Sequence, residues 1–140
     1  MKCIYQDDGV TVIKLMMVDD SQVVRDFIRL IIRSADDIEL VAEAGTGKEA
    51  LDLLSRVDID VATLDLGLPD VIGLDLLDLV RCRHDVGVVV LSASLTPSFH
   101  ANYPHLASFD KDHLFDQREH YLTAIRNAVP RSPEPVRRFA

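Results

Sequence analysis

A chain of 140 residues with 48% hydrophobic content can close one domain around a full core without disulfides or metal. Its net charge of −8 argues against the domain as a whole binding nucleic acid or an anionic membrane. Cys3 and Cys82 have no metal spacing, no apolar run reaches the length of a membrane span and no secretory signal opens the chain, so a reduced, cytoplasmic setting without membrane insertion is expected.

Residues 1–10 are polar and mixed, with Asp7-Asp8-Gly9 as a turn signal, and are expected to be a flexible extension. Thr11 to Val18 reads as a strand ending in Asp19-Asp20-Ser21, where Asp20 or Ser21 can cap a following helix. In that helix Val24, Phe27, Ile28 and Ile31 recur at helical spacing, and Arg25, Arg29 and Arg33 fall on another face. Ile38 to Ala44 partly alternates and predicts a strand with one face exposed. A second helix starts at Thr46-Gly47 and runs towards Val57. Gly45-Thr46-Gly47-Lys48 is only superficially a phosphate loop, because Ala42 stands in place of its first glycine and Glu49 in place of its Ser/Thr.

The stretch from Val61 to Leu64 is a run of apolar and β-branched residues, the pattern of a parallel-sheet strand buried on both faces. Asp65 follows, and Gly67 and Pro69 turn the chain out. Asp65 is therefore expected at the carboxyl end of a central strand, the edge at which open α/β sheets bind ligands. Gly73 precedes an amphipathic helix to Arg81, and Val86 to Leu91 is the most apolar strand, ending at Ser92-Ala93-Ser94. Two prolines between Thr96 and His105 leave room for a short or distorted fourth helix at most. Leu106 to Phe109 predicts a last short strand ending at Asp110-Lys111, and Phe115 to Val129 a final helix with Tyr121, Leu122, Ile125 and Val129 on one face. Residues 130–140, with three prolines and three arginines, are expected to be disordered. The order βα, five times over residues 11–129, predicts a doubly wound α/β domain with a parallel five-stranded sheet.

In such a sheet Asp19-Asp20, Asp65, Ser92 and Lys111 all lie at one edge. Three converging carboxylates repel one another unless a cation sits among them. Hard oxygens with no Cys or His nearby favour Mg²⁺ over zinc. A lysine and a hydroxyl beside them make a place for a phosphoryl group, with Asp65 a candidate nucleophile.

These pieces resemble the receiver domain of two-component response regulators: Val18-Asp19-Asp20-Ser21, Leu64-Asp65-Leu66-Gly67-Leu68-Pro69, Gly73-Leu74, Val89-Val90-Leu91-Ser92-Ala93 and Asp110-Lys111, in order and near the family spacing. The resemblance implies a flavodoxin-like sheet of strand order 2-1-3-4-5. It implies that Asp65 accepts a phosphoryl group from a sensor histidine kinase or histidine phosphotransfer protein. Asp20 and Asp65 would then bind Mg²⁺, Asp20 directly, with Asp19 acting mostly through water and Gly67 through its backbone carbonyl. Ser92, followed by Ala93, and Lys111 would contact the phosphoryl group. Gly67 and Ser94, both small, occupy the positions that tune autodephosphorylation. The first helix, around Val24 and Ile28, and Phe109 would form a partner face.

The chain departs from the family in three places. The stretch from Ser92 to Lys111 is short, with the loss on the fourth helix. Ser108 stands where an aromatic switch is common, with Phe109 next to it. Asp112 replaces the proline that commonly follows the lysine. No output domain follows residue 129, so a stand-alone receiver is expected, with no enzymatic turnover beyond its own phosphorylation and a downstream protein as target. Competing readings are weaker: a haloacid-type phosphatase needs an acid where Gly67 stands, and Asp19-Asp20 would repel the phosphate of a flavin. A phosphorylation-independent interaction module remains the alternative.

Overall fold

The computed structural model describes residues 4–5, 11–83, 85–93 and 95–130. Strands β1 (Ile4–Tyr5), β2 (Thr11–Val18), β3 (Ile38–Ala44), β4 (Val61–Leu64), β5 (Gly87–Ser92) and β6 (Ala107–Asp110) alternate with helices α1 (Gln22–Arg33), α2 (Gly47–Arg56), α3 (Gly73–Arg81), α4 (Pro97–Asn102) and α5 (Arg118–Ala128). β2 to β6 form a parallel sheet in the order β3-β2-β4-β5-β6, which is the expected 2-1-3-4-5. Within the expected N-terminal extension, Ile4–Tyr5 pairs antiparallel with the start of β2. The rest of residues 1–10, His84, Ser94 and residues 131–140 of the expected disordered tail at 130–140 lie outside the described residues. No described helix is long and apolar enough to cross a membrane.

The sheet separates two cores. Leu15, Met17, Val61, Val89 and Leu91 face α1 and α5, whereas Met16, Val18, Ala62, Leu64, Val88 and Val90 face α2, α3 and Phe99 of α4. β4 is buried at every position, as its apolar run requires of a central strand with helices on both sides.

Local chemistry sets the helix ends. Ser21 caps α1 by accepting a hydrogen bond from Val24 N, and Thr46 and Thr96 cap α2 and α4 in the same way. α4 has only six residues: Pro97 starts it, and Tyr103, which precedes Pro104, leaves helical geometry at φ −130°, ψ 60°. α5 begins at Arg118, three residues later than the expected start at Phe115. Residues Lys111–His113 form a 3₁₀ turn instead, with the Asp110 side chain accepting from Asp112 N, and Leu114 plugs into the core from that turn.

One buried polar pair fastens the centre. The hydroxyls of Thr63 on β4 and Tyr121 on α5 lie 2.9 Å apart, both out of contact with water. Burial pushes the Tyr121 phenol well above its usual range despite the Thr63 bond, so it stays a neutral hydrogen-bonding group. Phe109 meets the Tyr121 ring edge-on at 5.6 Å. Tyr121→Phe should lower stability in urea unfolding by about 1–2 kcal/mol, because the Thr63 hydroxyl loses its partner. Adding Thr63→Val should recover most of that loss; a double variant no more stable than the single one would show that the hydroxyl pair is not the source of the cost.

Candidate functional site

Sheet register builds the site. Val18 is level with Leu64, and Leu64 with Val90. The residues after these strand ends continue the ladder by one step, with Asp19 N bonding Ala44 O and Asp65 N bonding Val18 O, both at 2.9 Å. Two carboxylates thus emerge side by side from adjacent strands. Both are buried, Asp19 at 1% and Asp65 at 3% exposure.

Lys111 enters from the end of β6. Its Nζ donates to Asp65 Oδ2 at 2.9 Å and lies 2.7 Å from Asp19 Oδ2. The other oxygen of each carboxylate accepts a backbone N–H: Asp65 Oδ1 from Gly67 at 2.9 Å, and Asp19 Oδ1 from Ser21 at 2.8 Å. Burial, with the neighbouring Asp65 charge, raises the Asp19 carboxyl above its usual range against the pull of Lys111 and Ser21. Burial also works against the Lys111 ammonium, but Asp19 and Asp65 outweigh it and hold the lysine above its ordinary value.

Asp20 is exposed at the rim. One oxygen each from Asp19, Asp20 and Asp65 falls within 4.8 Å of the others. Asp19 Oδ2 is buried and makes no aligned hydrogen bond among the described residues beyond its ion pair with Lys111. Three hard oxygen donors, one under-coordinated and one open to solvent, fit a small divalent cation. Ser92 is buried at the end of the next strand, level with Asp110, and Ala93 after it is exposed.

The structure thus brings Asp19, Asp20, Asp65 and Lys111 together, with Gly67 bonded to Asp65 and Ser92 at the adjacent strand end. The expected partner face needs correction. Ile28 is fully buried against the sheet and Val24 is half-buried; the apolar residues that α1 exposes are Val23 at 77% and Leu30 at 60%. Phe109 is half-buried against Tyr121, and Ser108 sits 3.5 Å from His100 Nδ1 of α4. Sequence reasoning passed over Asp70, which bonds the first two amides of α2, and Glu43, which pairs with Arg25 and Arg29. Asp70 carried one signal, an acid just after a loop proline, and nothing in the sequence matched it to α2.

A profile of the response regulator receiver domain matches residues 15–104. The chain belongs to that family. The receiver is 36% identical over 86 residues to a protein-glutamate methylesterase/protein-glutamine glutaminase of Nitrosospira multiformis, a match covering 61% of this chain and 24% of that protein. It therefore spans about a quarter of that relative's length. Among solved structures it is similar to the response regulator domain of Thermotoga maritima CheB, with TM-score 0.72 and 25% identity over 87% of this chain and 99% of that one. A complex of the P1 domain of CheA3 with CheY6 from R. sphaeroides matches at TM-score 0.63 and 23% identity, over 81% of the receiver and 97% of the matched chain.

Burial and repulsion already disfavour the ionised form of Asp19. In EDTA at neutral pH, Asp19→Asn should therefore raise the urea midpoint of the receiver. Lys111→Ala should lower stability by about 2 kcal/mol, less than for a fully buried pair because the lysine keeps some access to water. A lower midpoint for Asp19→Asn would mean that its ion pair outweighs burial and repulsion together.

Proposed function

We propose that the chain accepts a phosphoryl group on Asp65 from a phosphohistidine of a sensor histidine kinase or phosphotransfer protein, with Mg²⁺ in the acidic cluster. It then signals through phosphorylation-dependent protein contact or passes the group on. The observation that carries this reading is the Lys111 ammonium held between Asp65 and Asp19, with Asp20 open beside them. The CheA3–CheY6 complex is in keeping with a protein donor, since a protein of this fold is there bound to a P1 domain.

In this reading an Asp65 carboxylate oxygen attacks phosphorus. The donor's P–N bond breaks, its electron pair stays on the imidazole nitrogen, and an aspartyl phosphate forms. Lys111 is close enough to move from the carboxylate to a phosphoryl oxygen while staying charged. The Ser92 hydroxyl supplies a donor from the next strand end. Asp19, Asp20, Asp65 and the Gly67 carbonyl would hold Mg²⁺, which when bound supplies positive charge against the phosphoryl oxygens.

A second reading, a phosphorylation-independent interaction module, draws on Ser108. No aromatic ring stands at that position, and neighbouring Phe109 is already packed against Tyr121. Incubation with Mg²⁺ and acetyl phosphate, read by intact mass, separates the two. Wild type should gain one phosphoryl group and Asp65→Asn none. Beryllofluoride binding in parallel covers a short-lived phosphorylated form. Failure of wild type in both assays would leave the interaction module.

A further inference from the structure

We propose that Asp70 is a positioning residue for the metal site: it holds the loop that carries the Gly67 carbonyl by tying that loop to the start of α2. This inference rests on the reading of the acidic cluster as a Mg²⁺ site.

Asp70 lies five residues after Asp65, in the loop between β4 and α3. Its two carboxylate oxygens accept separate hydrogen bonds, from Gly47 N at 2.8 Å and Lys48 N at 3.0 Å. These are the first two amides of α2, which have no partner within the helix. Thr46, the cap of α2, satisfies Glu49 N and leaves them to Asp70. The two backbone bonds hold the Asp70 carboxyl below its usual range, so it stays ionised at the positive end of the helix.

The approach is close. A Cβ on Gly47 would lie 2.4 Å from Val71 Cγ2, so the glycine lets the loop tip dock on α2. At the loop's base a Cβ on Gly73 would lie 2.1 Å from Leu66 O, which closes the two loop ends against each other. Between these anchors Leu68 plugs into the core. Gly67 has no comparable packing: it is exposed, and only Asp65 Oδ1 would come within 4 Å of a Cβ there. The place of its carbonyl therefore follows from its own N–H bond to Asp65 Oδ1 and from the loop anchors, of which Asp70 is the polar one on α2. Partners that hold metal ligands in orientation are commonly worth about tenfold or more in metal affinity.

The test is a MgCl₂ titration followed by amide NMR shifts at the strand ends, on wild type, Asp70→Ala, Asp70→Asn, Thr46→Ala and Asp20→Ala, each checked for an intact fold by urea unfolding. Asp70→Ala should weaken Mg²⁺ binding about tenfold. Asp70→Asn, which keeps one acceptor oxygen, should fall between it and wild type. Thr46→Ala removes the cap bond to Glu49 N, leaves both bonds to Asp70 in place and should bind like wild type. Wild-type affinity in Asp70→Ala would overturn the proposal. An equal loss in Thr46→Ala would also overturn it, by assigning the effect to helix fraying. Should wild type give no more response than Asp20→Ala, the metal reading itself fails and this proposal falls with it, an outcome distinct from the other two.

Discussion

Lys111 Nζ reaches two buried carboxylates at once, and the site has no other described cation within it. Asp19 and Asp65 owe their adjacency to the backbone, since both extend the ladder between β2, β3 and β4 by one step. The sheet therefore forces two like charges together in a place poor in water, and leaving them there unneutralised would be costly. A single ammonium offsets part of that cost. Three carboxylates against one lysine remain short of positive charge, and in the proposed reading the cluster uses that shortage to draw in a divalent ion. The same arrangement explains why Asp19 resists ionisation while Lys111 clings to its proton.

Strand parity decides what the last strand offers. Along β6, Ala107 and Phe109 belong to the layer of α1 and α5. Ser108, between them, falls on the opposite side, near His100 of the short α4. An aromatic ring at 108 and one at 109 would thus work in different layers, and Phe109 does not substitute for the missing ring. Its partner is Tyr121, whose hydroxyl bonds Thr63 two residues before Asp65. An aromatic link between the Asp65 strand and the outer helices exists here, and it runs through α5.

The sequence made most of the sheet legible because buried parallel strands need long apolar stretches, and those of β2, β4, β5 and β6 stop at a polar residue, whereas β3 partly alternates. That pattern alone puts Asp19, Asp65, Ser92 and Lys111 at one edge. Helical spacing was a weaker guide to exposure. It grouped Val24, Phe27, Ile28 and Ile31 into one stripe, but the stripe turns towards the sheet, and Ile28 ends in the core while Val23 and Leu30 face solvent. The start of α5 was misjudged for a related reason. Phe115 looks like the first residue of a helix, yet α5 begins only at Arg118, after a 3₁₀ turn that Asp110 stabilises and that buries Leu114. Pairs far apart in the chain left no readable trace: Asp70 with Gly47, Thr63 with Tyr121, Arg126 with Asp37. Each needs the fold before its partner is known.

Freedom to move is unequal around the cluster. Asp19 and Asp65 are held by ladder bonds, backbone donors on their carboxylates and burial. Moving either would open the central strands, whose cost is that of the core itself. Lys111 stands at the start of a 3₁₀ turn on a flexible stem, and it can leave one carboxylate for another acceptor without disturbing the sheet. Ser92 ends β5 just before the connection to α4, a helix of six residues fixed mainly by Phe99. A change of charge at Asp65 would therefore be absorbed on the side of Lys111 and Ser92, while the side of Asp19 stays in place. The elements that follow those two residues are the 3₁₀ turn into α5 and the short α4. Both are short, so in the proposed reading the response has a cheap route there.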